Sequence, residues 1–178
     1  MPTERLIFPT LIEGYMKGLG PRFDEALKKK LKARGLDVTR LPPAIPADEM
    51  TGHMRVIAAH AWPDEPEAEQ LRMLGLSAIR GWSTGAIGSA ASALIRLIGP
   101  KRALARLDRA FSTSNNFNRS QTELIGDDEA LVTINDVQGM PSYWLGILEA
   151  AIEIVGRTGT VIVERQNPPE ATFRLKWK

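Results

Sequence analysis

The sequence contains no cysteine. This absence excludes a thiol nucleophile, a zinc or iron–sulfur site held by thiolates, and a framework of disulfide bonds. A chain of 178 residues buries roughly 70% of the surface that it exposes when unfolded, so it can fold without such links. A cysteine-free chain suits a reducing compartment, and we expect a cytoplasmic protein.

Long apolar runs are also missing. The longest one, Ala86 to Ile98, is interrupted by Arg96 and is shorter than the ~20 residues that a membrane-spanning helix needs. The sequence therefore predicts no membrane span.

Histidine is scarce, since the chain has only His53 and His60. Seven residues apart on one helix, the two side chains would lie about 10 Å apart along its axis. A single metal ion cannot bind both, because metal–nitrogen bonds are about 2 Å long. We expect ordinary surface or interface histidines and no metal site.

Motifs that carry catalysis or cofactor binding are absent as well. The sequence contains no GxGxxG pattern, no phosphate-loop lysine and no nucleophile elbow. Glu149 and Glu153 form a carboxylate pair, but on a helix face that we expect to meet water, which argues against raised pKa values and acid–base chemistry. We expect no catalytic residue, no cofactor and no enzyme activity.

The charge that is present is mildly basic and uneven. The formal net charge is +2, and residues 94–120 hold six Lys or Arg against one Asp. In a predicted helix over 100–111, Leu104, Leu107 and Phe111 share one side, and the basic residues occupy the other. Such a stripe is most often a solvated face. The alternative is a polyanion-binding or nucleic-acid-binding surface, which would usually add aromatic or amide groups.

Periodicity predicts helices first and strands afterwards. Helices are indicated from Thr10 to Gly18–Gly20, from Pro21 to Gly35, from Asp48 to Trp62, from Glu65 onward, over 85–98 and over 100–111, after a short strand at Arg5–Phe8. Strands are indicated at Asn118–Ile125, Ala130–Val137, Thr160–Gln166 and Ala171–Trp177.

A helix over 143–156 separates the two strand pairs, and it is apolar except in one sector that holds Gly146, Glu149, Glu153 and Gly156. So wide an apolar arc predicts a helix packed between a sheet and other helices. We therefore predict one α+β domain over 1–178. A helical layer (about 1–116) would pack on an antiparallel sheet of ββαββ order (about 117–178).

The segment GWSTGAIGS, Gly81 to Ser89, is the most suggestive loop. Glycine, serine and threonine before a helix can offer backbone N–H groups to an anion or small ligand. The other interpretation, which we favour, is that small residues let a neighbouring helix approach closely.

The three stretches LIFPTLIEGYMKGL, LGLSAIRGWSTGAIGSAASALIRLIGPKRALARL and YWLGILEAAIEIVG…TFRLKW together resemble a family of uncharacterised myxobacterial paralogues, a domain of unknown function. The middle stretch is the most specific of them. The closing pattern, G-x-L-E on a helix and then two strands ending in Phe-x-x-x-Trp, is similar to a wider fold group. It contains the haem–nitric oxide sensor domains, the TRAPP vesicle-tethering proteins and the four-vinyl-reductase domains.

The resemblance implies helices packed on a small antiparallel sheet around an apolar pocket, and binding rather than catalysis. The sensors hold haem through a proximal histidine and a Tyr-x-Ser-x-Arg motif, which this sequence lacks, and the missing cysteine excludes the lipid thioester of tethering proteins. We expect a small-molecule-sensing or protein-interaction module, with a protein partner or homodimer possible. An apolar or amphipathic ligand would lie between the 85–98 helix, the 143–156 helix and the sheet. Trp82, Thr84 and Gly88 would flank the entrance, and Arg102 would meet a negative group.

Overall fold

The structure is a computed structural model that describes residues 4–178, apart from the side chains of Ala86 and Ile87. Over the described residues the elements follow the chain in the order β1 (Leu6–Ile7), α1 (Pro9–Leu19), a 3₁₀ turn (Gly20–Arg22), α2 (Glu25–Ala33), β2 (Ile45–Pro46), α3 (Ala47–Ala61), α4 (Glu67–Thr84), α5 (Ala86–Leu104), α6 (Leu107–Phe111), β3 (Ser120–Leu124), β4 (Glu129–Ile134), α7 (Pro141–Ile154), β5 (Gly159–Asn167) and β6 (Glu170–Trp177).

The sheet is antiparallel and has the strand order β3-β4-β6-β5. With α7 between β4 and β5 in the chain, this is the predicted ββαββ order, so the α+β prediction is confirmed. A second, two-stranded pairing of β1 with β2 lies within the helical part.

One face of the sheet is buried because apolar residues alternate along β4 and β6. Phe173, Leu175 and Trp177 are buried on β6, as their spacing predicts, and Val132 of β4 is the register partner of Phe173. The burial of each large side chain contributes roughly 1.5–3 kcal/mol. This face packs against α7, so side chains of the sheet and of the helices form one continuous core.

The helix starts differ from the predicted ones by a few residues. Helix α1 begins at Pro9, and the Thr10 hydroxyl donates to the carbonyl oxygen of Thr113 (2.6 Å) instead of capping the helix. Pro21 lies in the 3₁₀ turn, and the Asp24 carboxylate caps α2 by accepting from the Leu27 amide (2.8 Å). Asp48 lies in the first turn of α3 and does not cap it.

The predicted basic helix over 100–111 was wrong as a continuous element. Helix α5 bends at Gly99, where a φ of 75° suits glycine, and Pro100 continues it to Leu104. The chain then leaves helical geometry at Arg106, whose φ is −119°, before the five residues of α6. The basic residues therefore do not form one uninterrupted stripe.

Helix α4 lies at the centre of the helical layer and contacts α1, α3, α5 and α7. Glycine allows two of these crossings. A Cβ on Gly75 would lie 2.1 Å from the Tyr143 carbonyl oxygen of α7, and a Cβ on Gly81 would lie 2.0 Å from the Gly14 carbonyl oxygen of α1. The backbones of α1 and α7 thus touch α4 directly.

The sector of α7 that holds Gly146, Glu149 and Glu153 was expected to meet water, and this holds only in part: Glu153 is exposed and Glu149 is half-buried, whereas Gly146 is buried against α4. A Cβ on Gly146 would lie 1.9 Å from the Arg72 carbonyl oxygen of α4. Arg72 donates to Glu149 (2.5 Å), and Arg80 donates to Glu153 (2.7 Å), so the carboxylates pair with α4. Gly146 therefore lies in the contact between the two helices, and the two carboxylates lie at the edge of that contact.

Within residues 4–178, none of the helices combines the length and the apolar character that crossing a membrane requires.

Candidate functional site

A predominantly apolar cavity of about 200 Å³ lies between α7 and helices α1, α3, α4, α5 and α6. Its wall includes Leu11, Ile79, Ile95, Leu107, Phe111 and Ile147. The sheet contributes Trp177 at the end of β6. The cavity lies beside α7 and α5, where the sequence predicts a ligand.

Alanines on three elements leave this space open. Ala78 of α4, Ala103 of α5 and Ala151 of α7 all line the cavity, where longer side chains would project into it. The bend at Gly99 also contributes, since both Ile98 before it and Pro100 after it face the same space. The cavity thus arises from small residues and a bent helix and not from a gap between separate bodies.

Two aromatic rings of α7 form one side of the cavity. The ring of Trp144 meets the ring of Phe111 edge-to-face at 5.1 Å between centroids and that of Tyr143 at 6.1 Å. These contacts hold the indole in one orientation. Its Nε1 is buried and finds no hydrogen-bond acceptor among the described residues.

The Tyr143 hydroxyl is the other notable polar group of this wall. It accepts a hydrogen bond from the hydroxyl of Tyr15 on α1 at 2.9 Å, and both side chains are buried. Burial raises the pKa of both phenols, because an ionised oxygen would lose its hydration there. Both hydroxyls are therefore neutral at physiological pH and can donate and accept hydrogen bonds.

The four predicted site residues have different surroundings. Trp82 lines the cavity, on the same wall as Ile79. Gly88 is buried against α4, where a Cβ would lie 1.9 Å from the Trp82 carbonyl oxygen, as expected for close helix packing. Thr84 is exposed and donates to the Gly81 carbonyl oxygen (2.8 Å), and Arg102 is exposed outside the cavity wall. A role of these residues in ligand binding stays a prediction.

Several cavity residues were not predicted from the sequence, above all Tyr143, Trp144 and Phe111. Only their apolar character was recognised, because the spacing on α7 and α6 indicates burial and does not tell a packed neighbour from an empty space. Two adjacent aromatic residues at the start of a buried helix were the available signal.

The basic region around α6 shows no surface prepared for a polyanion. Lys101 donates to Asp127 (2.6 Å), and the Asp108 carboxylate accepts from the hydroxyl of Ser120 (2.8 Å). Arg106 lines the cavity, and its backbone is not helical, so it does not continue a row of basic residues along one helix face. The nucleic-acid alternative is not supported.

The described residues contain no group of three or more His, Asp or Glu side chains that could hold a metal ion. Both histidines belong to α3. His60 bonds Asp24 through Nε2 (3.0 Å) and Lys30 through Nδ1 (3.1 Å). His53 is buried, and its Nε2 lies 3.5 Å from Glu49 without hydrogen-bond geometry.

Comparison with known proteins gives a family and a fold. Residues 5–178 match the family model described as "Protein of unknown function (DUF2378)". A solved oxygen-binding H-NOX domain related to soluble guanylate cyclases is similar, with a TM-score of 0.69, 17% identity and coverage of 96% of this chain and 94% of that chain. An H-NOX protein mutant from K. algicida gives a TM-score of 0.66 at 11% identity, with 96% of each chain covered. No curated protein matches the chain.

The likeness to H-NOX structures shows the fold alone at these identities, and the haem that such a fold implies can be tested against the donor groups. Haem iron is held by histidine, cysteine, tyrosine or methionine side chains. The sequence has no cysteine, and neither histidine is among the described residues of the cavity wall. Helix α5 presents Ile95 and Ile98 there.

The other side chains that could bind haem iron, and the volume of the cavity, also argue against a haem. The Tyr143 hydroxyl is already bonded to Tyr15, and the Met54 thioether on the wall has no histidine opposite it within the described residues. A volume of about 200 Å³ is smaller than the roughly 300–1,000 Å³ of pockets that hold drug-sized ligands. The residues present do not fit a haem.

Proposed function

Because the chain belongs to the DUF2378 family of proteins of unknown function and has the fold of H-NOX domains, we propose that it is a non-enzymatic module that binds a small apolar molecule in the cavity beside α7. The observation that carries this proposal is the cavity itself, whose wall is formed mainly by apolar side chains of six helices, α1 and α3 to α7.

The size and chemistry of the wall select the ligand. An apolar cavity of roughly 150 Å³ in another protein stays dry and takes up benzene or xenon. The present cavity, at about 200 Å³, suits one aromatic ring or a short branched hydrocarbon. The hydroxyl pair of Tyr15 and Tyr143 supplies a neutral polar group, so a single hydroxyl or carbonyl on the ligand would be tolerated.

In this proposal Trp82 and Arg106 are the residues of the rim. Trp82 is half-buried and Arg106 is exposed, yet both line the cavity, so they stand between its interior and water. Thr84 and Gly88 fix the junction of α4 and α5 beside it. Arg102 lies on the solvent side, where it would meet a ligand group that extends past the rim.

Helix α5 links the cavity to the surface. Ile95 and Ile98 line the cavity, whereas Leu94 and Leu97 of the same helix are 59% and 84% exposed. A ligand that displaces Ile95 or Ile98 therefore changes how the two leucines are presented. We further propose that a protein partner or a second copy of the chain binds the surface formed by these two leucines and so responds to the ligand.

Indole and benzene are suitable probes for the cavity. Titration calorimetry should show binding of one molecule per chain, and the melting temperature should rise with ligand concentration, because the ligand binds only the folded state. The variant Ala103→Leu places a larger side chain in the cavity and should abolish binding. Ala105→Leu adds the same atoms at an exposed position two residues away and should leave it unchanged.

Two results would contradict the proposal. One is the absence of any binding by either probe to the unmodified protein. The other is haem uptake: addition of haemin should leave the Soret band of free haemin unchanged, and a shifted band that survives gel filtration would show a ligated haem and refute the apolar-ligand assignment.

A further inference from the structure

A second concave surface lies on the opposite side of α4. This cleft has a volume of about 720 Å³ and is bounded by the end of α1, by Trp62 after α3, by α4, by the end of α7 and by the start of β5. The cleft shares Ile152 with the apolar cavity but is otherwise formed by different side chains.

Arginine dominates the polar lining of the cleft. Four guanidinium groups, those of Arg22, Arg72, Arg80 and Arg157, face two carboxylates, Glu149 and Glu153. Both carboxylates are already paired: Glu149 accepts from Arg72, which also bonds Glu69, and Glu153 accepts two hydrogen bonds from Arg80. With Glu69 included, these paired groups are two arginines against three carboxylates, so together with Arg22 and Arg157 the cleft keeps a net charge of +1.

The excess charge belongs to Arg22 and Arg157. Within the part of the chain that the structure describes, neither guanidinium has a carboxylate within 4.0 Å, in contrast to Arg72 and Arg80. A guanidinium without a carboxylate partner has N–H groups available for a ligand. Its planar arrangement allows two parallel hydrogen bonds to two oxygen atoms of a phosphate or a carboxylate.

Local structure restrains the side chain of Arg22 and the backbone at Arg157. The guanidinium of Arg22 lies over the ring of Trp62, 5.4 Å from its centroid, and this cation–π contact limits its motion. Arg157 follows Gly156, whose φ of 73° ends α7, and the Arg157 amide donates to the Ile152 carbonyl oxygen (3.2 Å). The Arg22 guanidinium is therefore partly preorganised at the cleft, which reduces the entropy lost on binding, whereas at Arg157 only the backbone is held.

We propose that this cleft binds a small phosphorylated organic molecule, with Arg22 and Arg157 as its anion-binding groups. The volume falls within the roughly 300–1,000 Å³ of ligand pockets. Leu19, Met73, Leu76 and Ile152 give the cleft an apolar part that suits the organic portion of the ligand. This site is separate from the apolar cavity, so either can be present without the other.

Calorimetric titrations with inorganic pyrophosphate and with ATP test the site, with citrate as a carboxylate of comparable charge. The double variant Arg22→Gln/Arg157→Gln should bind pyrophosphate and ATP on the order of tenfold more weakly or worse, since each arginine offers charge-assisted hydrogen bonds. The double variant Arg40→Gln/Arg165→Gln removes the same net charge at exposed positions outside the cleft and should bind as the unmodified protein does.

A second readout keeps the test valid if the double variant unfolds. In the unmodified protein, pyrophosphate should shift the amide NMR signals of Gly18, Thr158 and Gly159, which line the cleft, more than those of the cavity wall. Absence of pyrophosphate and ATP binding, equal weakening by both double variants, tighter binding of citrate, or shifts centred elsewhere would each overturn the proposal.

Discussion

The hydroxyl of Tyr15 on α1 donates a hydrogen bond to the hydroxyl of Tyr143 on α7 at 2.9 Å, in the core of the protein. The two residues are 128 positions apart in the chain. They are also its only tyrosines, so every tyrosine signal of the protein reports on this one contact.

The first prediction concerns alkaline pH. Burial raises the pKa of both tyrosines above their ordinary value near 10, so the native state keeps two protons that the unfolded state releases. Stability from this source is complete below pH ~10 and is lost as the pH rises above it, because the unfolded state then binds fewer protons. Absorbance of tyrosinate should show no step near pH 10 and should rise only as the circular dichroism signal of the fold disappears. A tyrosinate step in the folded protein would contradict this.

The second prediction concerns the hydrogen bond itself. The variant Tyr143→Phe leaves the Tyr15 hydroxyl buried without this partner and should lower the free energy of unfolding by about 1–3 kcal/mol. Adding Tyr15→Phe removes the unpaired group, so the double variant should be less destabilised than the sum of the two single ones. Urea unfolding of the four proteins measures this coupling, and strictly additive losses would show that the contact contributes nothing.

The third prediction tests the backbone contact between α4 and α7. The change Gly75→Ala introduces a Cβ 2.1 Å from the Tyr143 carbonyl oxygen. The positions of the new Cβ and of the carbonyl oxygen are fixed by the backbones of α4 and α7, so the two helices must separate to relieve the clash. We expect a loss of about 3 kcal/mol or more. The control Gly52→Ala on α3 meets only a flexible arginine side chain at 3.9 Å and should gain about 0.5–1 kcal/mol. Equal effects of the two changes in thermal unfolding would refute the close crossing.

The fourth prediction distinguishes the two histidines. His53 is buried with neither ring nitrogen hydrogen-bonded, so His53→Leu should raise the free energy of unfolding by about 1 kcal/mol. His60→Leu removes bonds to Asp24 and Lys30 and should lower it by up to about 1 kcal/mol. Denaturant unfolding at pH 8 compares them. A destabilising His53→Leu would reveal a polar partner that the buried ring requires.

The positions of the strands along the chain were predictable because strand periodicity is local. Alternation of Phe173, Leu175 and Trp177 with polar residues specifies both the strand and its buried face. The break at Arg106 was not predictable, since the apolar spacing of Leu104, Leu107 and Phe111 is equally compatible with a continuous helix. Just after this break, Asp108 of α6 accepts hydrogen bonds from Ser120 at the start of β3, a long-range contact that local periodicity does not indicate.

The environment of α7 shows the same limit. Its own sequence locates Glu149 and Glu153 on one face, but whether that face meets water depends on Arg72 and Arg80, more than seventy residues earlier in the chain. The wall of the cavity combines residues of α1, α3, α4, α5, α6 and α7 in the same manner. Periodicity indicates which side chains are buried, whereas an empty volume depends on how six helices meet.

The glycine contacts of α4 have a consequence for motion. With Gly75 against α7 and Gly81 against α1, α4 has carbonyl groups at van der Waals distance on two sides and no room to slide or rotate. Helix α5 has such a contact only at its start, where Gly88 packs on the Trp82 carbonyl oxygen; farther along, it bends at Gly99 and leaves Leu97 in water. In hydrogen–deuterium exchange, the backbone amides of α4 should then exchange slowly, and those of α5 should exchange faster. Structural change would then be confined to α5, which would move while α4 stays in place.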